Sequence, residues 1–146
     1  GSDYRGGKAY LENQIKQNGM ESILAINDAV FGDEKHSILS ESDIFIATSR
    51  FEGHPMAVIE AMSYGVPCIL TEGTNMLDKL LEYDAGWATK LDKSEIAKAI
   101  LLALNNKDGI IEKGRNARRL VEENYTWDKV AEETVKNYRY IINTGR

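Results

Sequence analysis

Residues 43–71 contain two apolar runs separated by a loop and a helix, and they read DIFIATSRFEGHPMAVIEAMSYGVPCILT. The runs Asp43–Ala47 and Val66–Thr71 are almost continuously apolar, which is typical of parallel strands covered on both faces. Between them, Pro55–Tyr64 has the length and residue types of a helix, and Gly65 is a usual helix stop. A strand, a helix and a second strand in this order predict a parallel α/β sheet.

The same alternation continues in both directions along the chain. Ile23–Ile26 and Gly86–Leu91 are further short apolar runs, so we expect about four strands with helices on their flanks. The other predicted helices cover Lys8–Asn18, Asp33–Ser42, about ten residues after Asn75, Glu95–Leu104 with Ser94 as its cap, Ile110–Glu123 and Trp127–Ile142. The predicted fold class is therefore α/β, with a Rossmann-like parallel sheet.

Composition narrows the classes of function. The 146 residues are about the length of one domain. Their 18 Lys and Arg are dispersed and outnumbered by 23 Asp and Glu, which argues against a nucleic-acid-binding surface. No apolar run approaches the ~20 residues that a membrane span needs. The one cysteine, Cys68, cannot form an internal disulfide, so the cytoplasm is the expected location.

Several common motifs for catalysis and cofactor binding are missing. Gly6-Gly7-Lys8 is followed by Ala9, whereas a phosphate-binding P-loop needs Ser or Thr after the lysine. Neither a dinucleotide-binding G-x-G-x-x-G nor a nucleophile-bearing G-x-S-x-G occurs. The two histidines, His36 and His54, lie far apart without the spacing of metal ligands. The sequence therefore predicts no metal site.

The loop before the helix Pro55–Tyr64 lies where an open α/β sheet binds its ligand, beyond the carboxyl end of a strand. Gly53 permits close approach of the backbone, and Pro55 suits the first position of a helix. The N–H groups of Met56 and Ala57 would then be free and point toward the loop. A helix start with free donors and a partial positive charge favours a phosphate group.

Glu60 lies in the same helix among apolar neighbours, so we expect it to be largely buried and hydrogen-bonded. It lies ~7–8 Å along the helix axis from Pro55, a separation similar to that between the diphosphate and the ribose of a nucleotide. One interpretation is a carboxylate that accepts hydrogen bonds from two ribose hydroxyls. The alternative is a core carboxylate whose hydrogen bonds are all made within the protein.

Glu52 and Glu60, eight positions apart, resemble the Glu-x7-Glu motif of the retaining glycosyltransferases of GT-B architecture, in the large group called family 4. The wider pattern is similar as well. It comprises Ser42-Asp43-Ile44-Phe45-Ile46, then Glu-Gly-x-Pro, then Glu-Ala-Met-x-x-Gly-Val-Pro, and Tyr125-Thr126-Trp127 before a closing helix. The resemblance covers roughly residues 7–142. It implies that residues 1–146 form one partial C-terminal domain that binds the donor nucleotide and is truncated at its N-terminal side, with residues 1–6 an artificial leader or disordered.

The resemblance also implies roles for individual residues. Glu52 would be the catalytic residue and contact the hydroxyls of the donor sugar. Backbone donors from Gly53 to Ala57 would hold the diphosphate, Glu60 the ribose, and the loop from Asn27 to Val30 would lie beside the base. The candidate donor-binding residues are Ser49, Gly53, His54, Pro55, Met56, Ala57, Glu60, Thr74, Asn27 and Val30.

The reaction implied is transfer of a hexose from a UDP- or GDP-sugar, with a UDP-sugar the first expectation, with retention at the anomeric carbon. The acceptor would be a glycan or a lipid-linked glycan of a bacterial envelope polysaccharide. No metal or cofactor is expected, because the helix dipole and cationic side chains neutralise the leaving diphosphate. The acceptor would bind a missing N-terminal domain, so the isolated chain is expected to be inactive and the whole protein to be cytoplasmic or peripheral at the inner membrane face.

Two departures from the family pattern concern the start of the chain. The family's first strand–loop–helix unit, which carries an Arg and Lys clamp for phosphate, has no counterpart here. The first two strands of its six-stranded domain are missing as well. They would separate Ile23–Ile26 from Asp43–Ala47. Either these two runs pair directly, which is our expectation, or another chain or residues outside this sequence fill the gap.

Other interpretations remain beside the transferase. The chain could be a non-catalytic nucleotide- or phosphate-binding module, or a structural fragment whose site is not assembled. Glu52 could be an ordinary loop acid, His54 a solvated histidine and Ser49 a capping hydroxyl. Cys68 is expected in the core, and Trp127 is expected to bury its ring near the start of the last helix.

Overall fold

The computed structural model describes residues 6–145. Its elements in chain order are α1 (Gly7–Gln17), α2 (Gly32–Glu41), β1 (Phe45–Ala47), α3 (Met56–Ser63), β2 (Cys68–Thr71), α4 (Leu77–Glu82), β3 (Gly86–Thr89), α5 (Lys93–Leu104), α6 (Lys107–Asn124) and α7 (Trp127–Thr144). The described residues divide into two compact units, of which the first ends at Ile38 and the second begins at Leu39. The expectation for residues 1–5 lies outside the described residues, and the single partial domain stays a prediction.

The sheet lies in the second unit and is parallel throughout. Its strand order is β1-β2-β3, and one row of the register joins Ile46, Ile69 and Trp87. Helices connect successive strands, as parallel pairing requires. The predicted α/β class with a Rossmann-like parallel sheet is confirmed.

The number of strands differs from the expectation, because Ile23–Ile26 is not a strand. The N–H groups of Ile23 and Leu24 both donate to the Met20 carbonyl oxygen (3.1 and 3.0 Å), which closes a local turn after α1. Ile23 is 74% exposed. Within residues 6–145, β1 pairs with β2 alone, so the expected direct pairing of Ile23–Ile26 with Asp43–Ala47 is wrong. A local turn satisfies the donors that a neighbouring strand would otherwise bind.

In the first unit, the described part consists of α1, an irregular segment and the beginning of α2. An ion pair between Lys8 Nζ and Asp28 Oδ1 (2.8 Å) joins α1 to that segment. Lys8 also holds the pKa of the Asp28 carboxyl below its ordinary value, through a hydrogen bond and its charge.

Two apolar clusters cover the two faces of the sheet. Leu70 and Cys68 face the larger cluster, which α3, α4 and α6 complete with fully buried side chains such as Met62 and Leu120. Ile69 faces the smaller one with Trp87, Ala99 and Ala103. Successive residues of β2 thus enter opposite clusters, as the two-residue period of a strand requires. The prediction that both faces are covered is confirmed for β2, whereas Ile46 of β1 is 42% exposed and belongs to neither cluster.

Side-chain caps fix the starts of the last three helices. Asp92, rather than the expected Ser94, caps α5, because its carboxylate accepts from the N–H groups of Ser94 and Glu95 (2.9 and 3.2 Å). The Ser94 hydroxyl donates to the same carboxylate (2.6 Å), and these bonds hold the pKa of Asp92 below its ordinary value. Asn106 and Thr126 cap α6 and α7 in the same way.

The last helix lies open to solvent along its described length. No residue of α7 is buried, and Trp127 is 87% exposed. The expectation that Trp127 buries its ring is therefore wrong. Few contacts join α7 to the neighbouring α6, so the apolar residues of α7 do not pack into a core.

Gly65 and Gly114 allow α3 and α6 to pack closely. Gly65 ends α3 with a φ of 77°, a left-handed conformation that glycine adopts without strain. A Cβ at Gly114 would lie 2.3 Å from the Gly65 carbonyl oxygen. The backbones of the two helices thus meet where neither has a side chain.

We expect Gly114→Ala to destabilise the protein, although alanine is the better helix former by ~1 kcal/mol. The added methyl group meets backbone rather than a movable side chain, and the free energy of unfolding should fall by about 2 kcal/mol. Urea titration followed by tryptophan fluorescence measures this, since Trp87 and Trp127 both lie in the second unit. Glu112→Ala, an exposed change on the same helix, should have little effect. A more stable Gly114→Ala variant would contradict the packing.

We expect the thiol of Cys68 to be inert in the folded protein. Cys68 is fully buried, as the sequence predicted, and burial raises the pKa of its thiol far above the ordinary value. The reactive thiolate is therefore almost absent at neutral pH. A colorimetric disulfide reagent should label Cys68 in urea but not in native buffer. Rapid labelling of the folded chain would mean that β2 is accessible.

Candidate functional site

The loops that follow β1 and β2 are joined at the carboxyl edge of the sheet. Glu52 and Thr74 form a parallel bridge beyond the ends of the two strands. The Glu52 N–H donates to the Gly73 carbonyl oxygen (2.9 Å), and the Asn75 N–H donates to the Glu52 carbonyl oxygen (3.0 Å). These two hydrogen bonds continue the pairing of β1 with β2 into the loops and fix the backbone of Glu52.

Gly73 is required by this arrangement. A Cβ there would lie 2.3 Å from the Arg50 carbonyl oxygen and 2.6 Å from that of Ser49. Both atoms belong to backbone, so neither can move without shifting the loop. The approach joins residues more than twenty positions apart, and no local sequence pattern signals it.

The carboxylate of Glu52 has a partner from its own loop. Ser49 Oγ donates to Glu52 Oε2 (3.0 Å), and both residues are half-buried. The hydroxyl of Thr71, at the end of β2, donates to the Ser49 carbonyl oxygen (2.7 Å). The Ser49 hydroxyl therefore contacts a carboxylate in this structure. The sequence had predicted that it either contacts the nucleotide sugar or acts as a capping hydroxyl.

A cleft of about 670 Å³ opens between the two loops and the start of α4. Thr74 lines it but is only 2% exposed, and its hydroxyl has no hydrogen-bond partner among residues 6–145. The exposed Asn75 side chain donates from Nδ2 to the Gly53 carbonyl oxygen (2.9 Å). The lining residues are Phe51, Glu52, Gly53, Glu72, Gly73, Thr74, Asn75, Met76, Leu77, Asp78 and Lys79.

Helix α3 starts beside this cleft, one residue later than expected. Pro55 is its buried N-cap, and Met56 is the first helical residue. The Met56 N–H donates to the His54 carbonyl oxygen (3.0 Å), so the expectation that it is free is wrong. The Ala57 N–H has no partner among the described residues. Its helical acceptor would be the Gly53 carbonyl oxygen, which Asn75 already occupies.

Glu60 lies one turn further along α3 and is half-buried. The buried side of the helix consists of Val58, Ile59, Ala61 and Met62, whereas Met56 and Ala57 at its start are exposed. Helix α3 therefore packs along one side, and Glu60 lies at the border of that side.

The remaining candidates are His54, Asn27 and Val30. His54 is exposed in the loop before α3. Asn27 and Val30 lie in the irregular segment of the first unit. Their assignment to the base stays a prediction.

Residues 6–145 hold no group of three or more His, Cys, Asp or Glu side chains suited to a metal ion. No helix in that range combines the length and the apolar character of a membrane span.

Solved structures with the same fold are glycosyltransferases. Sucrose-phosphate synthase from Thermosynechococcus elongatus superposes with a TM-score of 0.83 at 19% identity, over 99% of this chain and 37% of that one. The C-terminal domain of a glycosyl transferase group 1 family protein from Francisella tularensis gives a TM-score of 0.74 at 21% identity, over 84% and 64%. The fold is thus that of a GT-B glycosyltransferase domain.

Sequence comparison identifies the family. The family model described as "Glycosyl transferases group 1" matches residues 4–127, and the chain belongs to this family. An uncharacterized glycosyltransferase of Methanocaldococcus jannaschii is 25% identical over 89% of this chain. A GDP-mannose:cellobiosyl-diphosphopolyprenol alpha-mannosyltransferase of Xanthomonas oryzae is 24% identical over the whole chain. The chain spans 34% and 39% of these two relatives.

We expect Gly73→Ala to separate the two loops. The new methyl group would collide with backbone at Arg50 and Ser49, so the bond from the Glu52 N–H should break and its amide hydrogen should exchange at least ~10-fold faster. Hydrogen exchange followed by NMR measures this directly. Gly53→Ala is the matched control, because a Cβ there meets nothing within 4 Å. Unchanged exchange at Glu52 in Gly73→Ala would show that the loops are not held in this way.

Proposed function

We propose that this chain is the donor-binding part of a retaining glycosyltransferase, with Glu52 contacting the donor sugar. The observation that carries the proposal is the fixed position of Glu52 at the edge of a cleft outside the carboxyl ends of β1 and β2. Open α/β sheets bind ligands at this edge. The backbone of Glu52 is bonded on both sides, so its carboxylate extends from a rigid support.

The diphosphate of the donor is assigned to the start of α3. The Ala57 N–H is an unused donor there, and both Met56 and Ala57 are exposed. The partial positive charge of a helix amino end favours an anion at this position. Gly53 and His54 precede it on the exposed side, where no Cβ of Gly53 obstructs the approach.

The ribose is assigned to Glu60. Glu60 lies four residues after Met56, which is ~6 Å along the helix axis. A half-buried carboxylate at that distance is positioned to accept from two neighbouring ribose hydroxyls while the diphosphate contacts the helix start. The base is assigned to the segment from Asn27 to Val30.

The proposed donor and acceptor rest on relatives named as using GDP-mannose or UDP-galactose as the donor. We propose a hexose donated by a UDP- or GDP-sugar, with UDP as the first candidate, and an acceptor that is a glycan or lipid-linked glycan of a bacterial envelope polysaccharide. The relatives are about three times as long as this chain. The acceptor site is therefore assigned to sequence outside residues 1–146, and residues 1–146 alone should transfer no sugar. Transfer would proceed without a metal, with helix α3 offsetting the diphosphate charge.

Nucleotide binding tests the proposal. UDP, GDP and ADP are titrated with the chain up to millimolar concentrations, followed by thermal protection and by ligand-detected NMR. We expect one of them to bind, and Glu60→Ala to weaken that binding about tenfold through loss of charged hydrogen bonds.

Glu112→Ala, which removes an exposed carboxylate on α6, is the control and should bind as the unsubstituted chain does. Equal binding by Glu60→Ala would exclude the ribose assignment. Failure of all three nucleotides to bind would exclude a donor-binding function for this chain and favour a structural fragment. Binding by a longer protein that lacks transferase activity would favour the non-catalytic module.

A further inference from the structure

We propose that Ser49 is a positioning residue that sets the direction of the Glu52 carboxylate. The inference rests on the proposed function, and it replaces direct donor contact as the role of Ser49. Ser49 Oγ donates to Glu52 Oε2 at 3.0 Å, and the pair is partly buried. A hydrogen bond to a carboxylate is stronger than one between neutral groups. Oε1 has no partner among the described residues and is left for a sugar hydroxyl.

Ser49 can do this because its own backbone is fixed from the sheet. The buried Thr71, the last residue of β2, donates its hydroxyl to the Ser49 carbonyl oxygen at 2.7 Å. β2 is the central strand of the sheet, and all four of its residues are buried. The connection therefore runs from the buried central strand through Thr71 and Ser49 to the carboxylate.

The backbone of Glu52 is already fixed, so only its side chain is still free to rotate. Its N–H and carbonyl oxygen are bonded to Gly73 and Asn75, which removes backbone freedom. A glutamate side chain still has three rotatable bonds, and ordering them on binding costs affinity. The hydrogen bond from Ser49 orders them before the donor arrives, so the carboxylate is preorganised for the sugar.

The test separates the sugar from the nucleotide. Dissociation constants are measured for two pairs of probes, UDP with UDP-glucose and GDP with GDP-mannose. For each pair, the sugar gain is the dissociation constant of the diphosphate divided by that of the nucleotide sugar. We expect Ser49→Ala to lower the sugar gain about fivefold and to leave the affinity for the bare diphosphate unchanged.

Four further variants distinguish positioning from general damage. Ser49→Thr keeps the hydroxyl and should restore the sugar gain. Ser63→Ala removes a hydroxyl that bonds only within α3 and should bind as the unsubstituted chain does. Thr71→Val should lower the sugar gain in the same direction as Ser49→Ala. Its control is Thr89→Val, at the paired position of β3, which should leave the sugar gain unchanged.

The outcomes separate this inference from the proposed function. An unchanged sugar gain in Ser49→Ala, while the unsubstituted chain binds the sugars, overturns the role of Ser49 alone. Equal weakening of bare diphosphates and nucleotide sugars overturns it as well, because it indicates loss of loop structure. An unsubstituted chain that binds no nucleotide, or gains nothing from the sugar, overturns the donor-site assignment and this inference with it.

Discussion

Parallel pairing of β1 with β2 continues past the last strand residues into the two loops, and the candidate site depends on this continuation. The core fixes β2, because Cys68 and Leu70 enter one apolar cluster and Ile69 enters the other. β2 in turn determines where its following loop runs. That loop bonds Glu52 from both sides, provided that residue 73 has no side chain. Apolar packing thus fixes the sheet, and the sheet fixes the loop that holds Glu52.

Most of the fold follows from local patterns. The two apolar runs around Pro55–Tyr64 predicted β1, α3 and β2, because buried parallel strands are apolar on both faces. The pattern failed at Ile23–Ile26, where four apolar residues satisfy the strand criterion. The first two of them instead bond to the Met20 carbonyl, and the rest are irregular. The pattern also predicted Ser94 as the α5 cap. Ser and Asp are both good capping residues, and only the hydrogen bonds in the structure identify Asp92 as the cap.

The candidate site could be predicted in part. The spacing of Glu52 and Glu60 and the position of the loop after β1 both come from the sequence. The contribution of Gly73 and Asn75 does not, because it arises from contacts across more than twenty residues. The Met56 N–H is occupied because it bonds locally to the His54 carbonyl oxygen, which the sequence does not signal. The Ala57 N–H stays free because the first turn of a helix has no intrahelical acceptor for its backbone donors.

The hydrogen bonds that join the two loops on either side of Glu52 use main-chain atoms, which every amino acid possesses. Substitutions around the cleft can therefore alter its shape and charge while the frame that carries the carboxylate persists, as long as residue 73 remains glycine. The position of the carboxylate and the chemistry of the cleft lining therefore depend on different atoms. The chemistry of the cleft lining can change, while the backbone that carries the Glu52 carboxylate stays in register with the sheet.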